Sequence, residues 1–253
     1  IAVMGARPLA VLDAVICGKL DKDVAAQLVD ALSSACREQD CVLVGGETSE
    51  QPGVIEPGTY VLVASILGIA ERSRIIDGSL VRAGDAILAV ASNGLHTNGY
   101  SLVRALIADQ PAILEARVDG EPFLEAILRP HMCYHQALRG LFGLPTLHGI
   151  AHITGSGIGG NLPRVIPPGL GAVVDLGAIR VLPVFKLIRD RGQIDDEDML
   201  RTFNLGVGLT IVADPAAVPA IQKHLAEKGC ESYPIGEIVQ SAQDVAFRGK
   251  LRW

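Results

Sequence analysis

Apolar residues recur every fourth position between residues 21 and 39, and this spacing places them on one face of a helix. Aspartates stand at the start of the segment and Arg37 stands near its end, where the helix dipole favours them. The pattern therefore predicts an amphipathic helix over 21–39. Its apolar face consists of Val24, Leu28, Leu32 and Cys36.

Short runs of β-branched and aliphatic residues predict the strands, because such side chains suit a pleated, buried surface. These runs occupy residues 1–4, 41–44, 60–70, 86–91, 149–153, 171–175, 207–213, 231–239 and 244–247. Helical patterns lie between them, at 100–109, at 122–142 with an interruption at Pro130, at 183–191 and at 215–228. We expect the polar stretch GGETSEQPG, residues 45–53, to be an irregular loop, and residues 192–204 to be a polar connection.

A glycine-bearing polar stretch, residues 75–85, separates two predicted strands and marks a domain boundary. Residues 1–74 then form a small first domain, and residues 75–253 form a larger second one. Helices and strands alternate irregularly along both parts. The sequence therefore predicts an α+β protein built of two layers and two unequal domains.

The composition of the chain limits which kinds of partner it can bind and in which cellular compartment it is expected. The chain has 253 residues, 49% of them hydrophobic, and a net charge of −6 without a basic run, which argues against a nucleic-acid or anionic-membrane partner. Its longest apolar run, 60–70, is shorter than the ~20 residues that span a bilayer. The five cysteines are odd in number and lack CxxC spacing, so neither a disulfide framework nor a zinc site is indicated. Reduced thiols favour a cytoplasmic location.

Three polar stretches each follow a predicted strand, at residues 45–53, 93–101 and 152–161. All three are rich in glycine and small hydroxyl or amide residues. Backbone N–H groups exposed at such turns bind anions without a positive side chain. The pattern therefore predicts a phosphorylated ligand.

Two of these stretches carry side chains that could bind a metal ion or take part in catalysis. Glu47 lies among glycines, where a carboxylate suits Mg²⁺ beside nucleotide phosphates, although a loop glutamate is more often solvated surface. In NGLHTNGYS, His96 is expected to exchange a proton, because an unperturbed imidazole has its pKa near neutral pH, and Asn98 offers polar contacts to a substrate. A purely structural interpretation, a tight turn with Ser101 as a helix cap, explains the same sequence stretch equally well.

The third stretch, HITGSGIGGN, resembles a dinucleotide fingerprint only superficially. Its glycines satisfy GxGxxG, but three prolines between residues 163 and 168 break the long helix that such a site requires. No Gly-Lys pair makes it a P-loop either. What remains is a flexible loop rich in backbone donors, preceded by His152, and a lone histidine at a strand end is more often structural than catalytic. The stretch RTFNLGVGL, residues 201–209, is by itself a bulged strand entry.

Seven stretches taken together resemble one family, the aminoimidazole ribonucleotide synthetases, also called phosphoribosylformylglycinamidine cyclo-ligases. They occur in the family's order over essentially the whole chain, which is more specific than any single loop. The matching stretches are GARPLAVLD (5–13), GKLD (18–21), LVGGETSEQPG (43–53), IIDGSLVRAGD (75–85), SNGLHTNGYSLVR (92–104), AHITGSGIGGNLPRVIP (151–167) and RTFNLGVGL (201–209).

The resemblance implies a fold, an activity and partners. The fold is the family's two-domain α+β architecture, with a larger C-terminal α/β domain that contains a mixed sheet. The activity is ATP-dependent closure of formylglycinamidine ribonucleotide to 5-aminoimidazole ribonucleotide in purine biosynthesis, a carbon–nitrogen ligase reaction in which ATP phosphorylates the formyl oxygen. ATP and Mg²⁺ are the implied cofactors, and a homodimer is the implied assembly.

The resemblance also implies residue roles. Catalysis is assigned to His96, Asn98 and His152, and the metal is assigned to Glu47. Binding of the nucleotide and of phosphate groups is assigned to Gly45, Gly46, Glu47, Thr48, Thr154, Gly155, Ser156, Gly157 and Asn161.

Two departures from the family pattern leave alternatives open. The family's glycine triplet reads Gly155-Ser156-Gly157 here, and Gly160 replaces the glutamate that usually precedes Asn161. Family chains also continue before the position of Ile1, so the N-terminal domain, with its ATP-side and dimerisation sheet, is expected to be incomplete. A non-catalytic homologue that binds a phosphorylated ligand is one alternative. A sibling kinase or synthetase of the same superfamily is another.

Overall fold

The computed structural model describes every residue from Ile1 to Trp253. The chain divides into two compact units, Ile1–Ile75 and Ile76–Trp253. None of its helices is long and apolar enough to cross a lipid bilayer.

The first unit contains one helix and one three-stranded sheet. Its elements are β1 (Arg7–Cys17), α1 (Lys22–Glu38), β2 (Val42–Glu50) and β3 (Tyr60–Ile69). The strand order is β2-β1-β3, with β1 parallel to β2 and antiparallel to β3. The predicted helix is confirmed, and Asp21 caps it by accepting hydrogen bonds from the N–H groups of Asp23 and Val24.

Two sequence predictions for this unit are wrong. Residues 1–4 do not form a strand: Ala2–Met4 form a single 3-10 turn, and the unpredicted strand is β1, whose apolar run Asp13 interrupts. Residues 45–50 are not an irregular loop, because β2 continues to Glu50. Backbone pairing with β1, rather than burial of side chains, holds these polar residues in an extended conformation.

The sheet of the first unit is sparsely covered. Its buried cluster consists of Val11, Cys36 and Cys41. Along β3 nearly every side chain is exposed, including Leu67 at 53% and Ile69 at 55% of full exposure. In this cluster α1 packs against β1 through Cys36 and Val11.

The second unit holds the remaining elements. They are β4 (Ala86–Ala91), α2 (Tyr100–Asp109), β5 (Arg117–Val118), β6 (Glu121–Pro122), α3 (Phe123–Ile127), α4 (His135–Arg139), β7 (Leu147–His152), α5 (Gly157–Asn161), β8 (Leu170–Asp175), α6 (Pro183–Gly192), α7 (Asp196–Thr202), β9 (Val207–Ala213), α8 (Val218–Glu227), β10 (Ser232–Gln240) and β11 (Val245–Arg248). Six strands form one mixed sheet in the order β11-β8-β10-β4-β9-β7, and β5 pairs with β6 as a small hairpin.

The central strands of this sheet are covered on both faces. All of β9 and the interior of β4 are buried, which is why both read as unbroken apolar runs. Phe123, Phe185 and Phe203 are fully buried in the same core, and every member of that core belongs to the second unit. The second unit therefore has a complete hydrophobic core of its own.

Three predictions for the second unit also need correction. The helical stretch predicted at 122–142 is interrupted over more than Pro130, because α3 ends at Ile127 and α4 runs only from His135 to Arg139. Residues 154–161 are not wholly a flexible loop, because residues 157–161 form the short helix α5. Residues 192–204 are not simply a polar connecting segment, because they contain the helix α7. Asp195 caps α7 by accepting from the Asp198 N–H, and Met199 is the one buried side chain that anchors it. A single buried apolar residue leaves too weak a periodic pattern to predict a helix.

Strand direction sets where the polar segments emerge. β4 and β7 both pair antiparallel with β9, so β4 and β7 run in the same direction on either side of it. Their C-terminal ends therefore lie beside the start of β9, with Ala91 opposite Val207 and His152 opposite Leu209. Residues 92–99, 153–157 and 203–206 leave the sheet at this one end.

Candidate functional site

A buried amide network holds the segments that flank β4 and β9. Asn204 is buried, and its Oδ1 accepts hydrogen bonds from the Ser92 hydroxyl at 2.9 Å and from the Gly206 N–H at 2.8 Å. Its Nδ2 donates to the Gly94 carbonyl at 2.9 Å. These bonds pair the buried backbone groups of Gly94 and Gly206, and so they fix the path of the chain into the following histidine turn.

The histidine turn has an unusual backbone. His96 and Thr97 have φ values of 53° and 66°, in the left-handed region that side chains with a Cβ seldom adopt. Asn98 helps to hold this conformation, because its Nδ2 donates to the His96 carbonyl at 2.8 Å. Backbone strain of this kind persists only where surrounding contacts determine it, and it is concentrated at functional sites.

Asn98 also connects the turn to the segment after β7. Its Oδ1 accepts a hydrogen bond from the Gly155 N–H at 3.0 Å. The structure thus brings together two of the three stretches that the sequence singled out, and both polar atoms of the Asn98 amide make hydrogen bonds within the protein. In this arrangement Asn98 positions the two loops.

The segment 154–161 closes around Asn161. This side chain is buried, accepts from the Thr154 hydroxyl at 3.0 Å, and donates to the carbonyls of Gly155 and Gly157. The Gly157 N–H donates to the Thr154 carbonyl at 3.1 Å. Ser156 is exposed at the tip of the segment with a φ of 78°. The carbonyls of this loop therefore face inward, and its tip faces solvent.

Three imidazoles meet next to these loops, and we call His96, His131 and His152 the imidazole cluster. The rings of His96 and His131 are stacked, with centroids 4.1 Å apart and an interplanar angle of 15°. The rings of His131 and His152 lie 5.3 Å apart. One ring nitrogen from each of the three lies within 4.8 Å of the other two.

Desolvation makes all three members of the imidazole cluster weak bases, although His131 keeps a solvent-exposed side. His96 is 1% exposed, and loss of solvation, followed by repulsion from His131 and His152, lowers its pKa to about 3. Desolvation also lowers the pKa values of His131 and His152. All three rings are therefore neutral at physiological pH, with lone pairs available to accept a proton or to bind a cation.

Tyr134 borders the imidazole cluster on its buried side. Its ring contacts His96 edge-on at 5.9 Å, and its hydroxyl donates to the Ala91 carbonyl at 2.8 Å. Burial raises the pKa of the Tyr134 phenol. Gly208 makes room for this tyrosine, because a Cβ at position 208 would overlap the Tyr134 hydroxyl and press on the His96 ring.

The remaining predicted residues lie on β2 of the first unit. Gly45, Gly46, Glu47 and Thr48 are all exposed there. Gly46 pairs with Asp13, and a Cβ at position 46 would overlap the Asp13 carboxylate, so the pleat places Asp13 and Glu47 on opposite faces of the sheet. Glu47 thus offers a single carboxylate. This is enough for Mg²⁺, which binds through one or two carboxylates together with phosphate oxygens and water.

Comparisons with known proteins identify the family. The family model "AIR synthase related protein, C-terminal domain" matches residues 82–248, and the corresponding N-terminal domain model matches residues 1–70. Phosphoribosylformylglycinamidine cyclo-ligase from Methylobacillus flagellatus is 42% identical over 238 residues, which cover 94% of this chain and 69% of the relative. The chain belongs to the phosphoribosylformylglycinamidine cyclo-ligase family. The resemblance found in the sequence is confirmed.

Further relatives agree with this membership. The cyclo-ligase of Geobacillus kaustophilus is 38% identical over 98% of this chain and 72% of its own length. Two solved structures share the fold. Thiamine-monophosphate kinase from Stenotrophomonas maltophilia K279a superposes with a TM-score of 0.71 and 20% identity, over 99% of this chain and 75% of the kinase. Hydrogenase maturation protein HypE in complex with ATP superposes with a TM-score of 0.71 and 20% identity, over 98% of this chain and 72% of HypE. The predicted two-domain α+β fold of the cyclo-ligase family is confirmed.

Within this cyclo-ligase fold, the sequence missed some of the residues that shape the site. His131 lies in the segment between α3 and α4, and no periodicity or spacing connects it with His96 or His152. Asn93 was likewise overlooked, although it lies inside one of the quoted stretches. Only the tertiary structure brings these side chains to the imidazoles.

Proposed function

We propose that this chain catalyses the ATP-dependent closure of the imidazole ring of formylglycinamidine ribonucleotide, giving 5-aminoimidazole ribonucleotide, ADP and phosphate. One observation carries the proposal: relatives about 40% identical over nearly the whole chain are named for this cyclo-ligase reaction. The hydrogen bond from Gly155 to Asn98, which joins two of the stretches that resemble the family, supports it.

The chemistry has two steps. The formyl oxygen of the substrate takes the γ-phosphoryl group of ATP, which turns that oxygen into a leaving group. The amidine-side nitrogen then attacks the same carbon, the carbon–oxygen bond breaks, and phosphate departs while the nitrogen loses a proton. Such reactions depend mainly on positioning and charge neutralisation, which suits a site built from amides and neutral imidazoles rather than from a strong nucleophile.

His96 and His152 are the side chains that we assign to the proton. Both are neutral at physiological pH because burial lowers their pKa values, so each has a lone pair that can accept a proton from the attacking nitrogen. Asn98 positions the His96 turn against Gly155. Thr154, Gly155, Ser156, Gly157 and Asn161 shape the loop that we assign to a phosphate group.

Nucleotide binding is assigned to the exposed β2 residues Gly45, Gly46 and Thr48, and Glu47 is assigned to hold Mg²⁺. A bound Mg²⁺ would neutralise charge on the phosphate oxygens. The ATP complex of HypE, which shares the fold, supports a nucleotide ligand. We also assign the protein to the cytoplasm, since all five cysteines are free thiols, and we expect it to work as a homodimer.

The test is a coupled turnover assay with the purified chain. Formylglycinamidine ribonucleotide should stimulate ADP release, and 5-aminoimidazole ribonucleotide should form in equal amount. Thiamine monophosphate offered under the same conditions should give no product. Substrate binding without turnover would favour the non-catalytic homologue, and turnover of thiamine monophosphate would favour the sibling kinase; either result would refute the proposal.

A further inference from the structure

The imidazole cluster contains two buried ring nitrogens without hydrogen-bond partners. They are Nδ1 of His96 and Nε2 of His152. A buried polar atom normally has a partner, because leaving one unpaired costs about 1–3 kcal/mol. Both atoms belong to residues whose ring nitrogens approach a third histidine, His131, within 4.8 Å. The unpaired nitrogens therefore point to a ligand shared by the three rings.

The tautomer of His96 follows from its neighbours. The Asn93 Nδ2 donates to the Pro130 carbonyl at 2.9 Å, which turns the Asn93 Oδ1 toward His96. This oxygen lies 2.6 Å from the His96 Nε2, so Nε2 carries the hydrogen and Nδ1 carries the lone pair. The Asn93 backbone N–H, 3.3 Å from Nε2, is the weaker contact. An outer amide that accepts from one ring nitrogen while the other stays free is typical of metal-binding histidines.

We propose that His96, His131 and His152 form a binding site for a divalent transition metal ion of the zinc class. Three imidazoles are the donor set of open, three-ligand zinc sites, in which a water or a substrate atom occupies the fourth position. Nitrogen donors suit zinc, copper and nickel, whereas Mg²⁺ and Ca²⁺ favour oxygen. The group that converges here contains only histidines. The site is therefore distinct in chemistry from a magnesium site at Glu47.

Metal binding requires a small rearrangement. Zinc–nitrogen bonds of about 2.0–2.1 Å in a tetrahedral site place the ligand nitrogens about 3.4 Å apart. The stacked rings of His96 and His131 cannot both direct lone pairs to one ion until one ring rotates. His131 is the exposed member, so rotation of its side chain brings its nitrogen toward the other two without disturbing the core.

The proposal does not rest on the cyclo-ligase activity, and its test needs neither ATP nor substrate. A bound ion would occupy the lone pairs of His96 and His152, so metal binding and proton transfer by these rings are mutually exclusive. Titration calorimetry of the metal-free chain with Zn²⁺ should show one ion bound per chain. Co²⁺, used as a spectroscopic probe, should develop the visible absorption of a tetrahedral nitrogen site. Circular dichroism of each variant checks that the fold is retained.

Three variants test whether zinc binds at the imidazole cluster or at other side chains of the protein. His131→Ala should weaken Zn²⁺ binding by more than the ~10–100-fold that follows loss of an outer partner, and Asn93→Ala should weaken it within that range. Cys133→Ser is the matched control, because this exposed thiol lies two positions from His131 yet is not in the cluster. It should bind Zn²⁺ as the parent does. The proposal fails if the parent binds no zinc, if His131→Ala binds equally well, or if Cys133→Ser loses binding.

Discussion

The Oδ1 atom of Asn98 accepts a hydrogen bond from the backbone N–H of Gly155, across 57 residues of sequence. The same side chain donates to the carbonyl of His96. One amide thus fixes the distance between a strained histidine turn and the loop assigned to a phosphate group. Because the two loops follow different strands, β4 and β7, this side chain fixes the position of one loop relative to the other.

Replacing Asn98 by Ala should therefore uncouple the two loops. Loss of one part-buried and one exposed hydrogen bond should destabilise the fold by about 1–3 kcal/mol, and misplacement of His96 should lower turnover by ~10-fold or more. Urea unfolding and steady-state kinetics measure the two effects. Ser101→Ala, at an exposed position near the start of α2, serves as the control and should change neither quantity appreciably. Parent-like turnover in Asn98→Ala would contradict the assigned positioning role.

His96→Ala should lower cyclo-ligase turnover by ~10²-fold or more while the chain stays folded, because transfer of a proton by one positioned side chain is worth about that much. Kinetics with circular dichroism as the folding check measure this. His224, on α8, provides an imidazole outside the cluster, and His224→Ala should retain turnover. Unchanged activity in His96→Ala would remove this residue from the mechanism.

Stability should fall as the solution is acidified. Burial lowers the pKa of His96 to about 3, whereas a histidine in the unfolded chain titrates near 6.5. Between these values the unfolded state binds more protons, so the contribution of His96 to stability is complete above pH 6.5 and declines as the pH falls through that window. Urea unfolding at about pH 7.5 and about pH 4.5 measures the decline. His96→Gln should show a shallower decline, and an equally steep one would show that other groups cause it.

Gly208→Ala should damage the site from its buried side. The added Cβ overlaps the Tyr134 hydroxyl and crowds the His96 ring, so a loss of about 1–3 kcal/mol in unfolding free energy is expected. Gly94→Ala is the matched control, because a Cβ there meets its nearest atom at 3.6 Å, an ordinary contact. Adding Tyr134→Phe to Gly208→Ala should recover part of the loss. No recovery would mean that the hydroxyl is not the obstacle.

Glu47→Gln should raise the KM for MgATP by ~10-fold or more, since the neutral amide is a weaker ligand for Mg²⁺ than a carboxylate. Glu56→Gln, which removes another exposed carboxylate of the first unit, should leave the KM unchanged. Initial rates over a series of MgATP concentrations compare the three proteins. Equal KM values would place the metal elsewhere.

Secondary structure was predicted best from the sequence where burial of side chains dictates the pattern of apolar residues. β4, β9 and α2 begin and end where their apolar patterns do, because two buried faces or one amphipathic face leave few alternatives. The prediction failed for β2, whose polar residues 45–50 are held by pairing with β1, and for α7, which one buried methionine anchors. In both cases the deciding contacts come from elsewhere in the chain.

For the site, local sequence identified the loops but not their partners. His96 and His152 stand out because each accompanies glycine and small polar residues at a strand end. His131 carries no such mark, and it reaches the other two rings only because the segment between α3 and α4 passes over them. The roles of Asn98 and Asn161 as internal amide bridges likewise depend on which carbonyls the fold places nearby.

The left-handed backbone at His96, Thr97 and Ser156 has a consequence for protein engineering. Each such residue costs about 1–3 kcal/mol relative to a relaxed conformation, and glycine at the two exposed positions, 97 and 156, would recover part of it. Laboratory selection for heat tolerance alone would therefore tend to collect glycines here, giving a hardier protein whose imidazole is held less firmly. A screen that couples thermal survival to product formation would be needed to preserve the site.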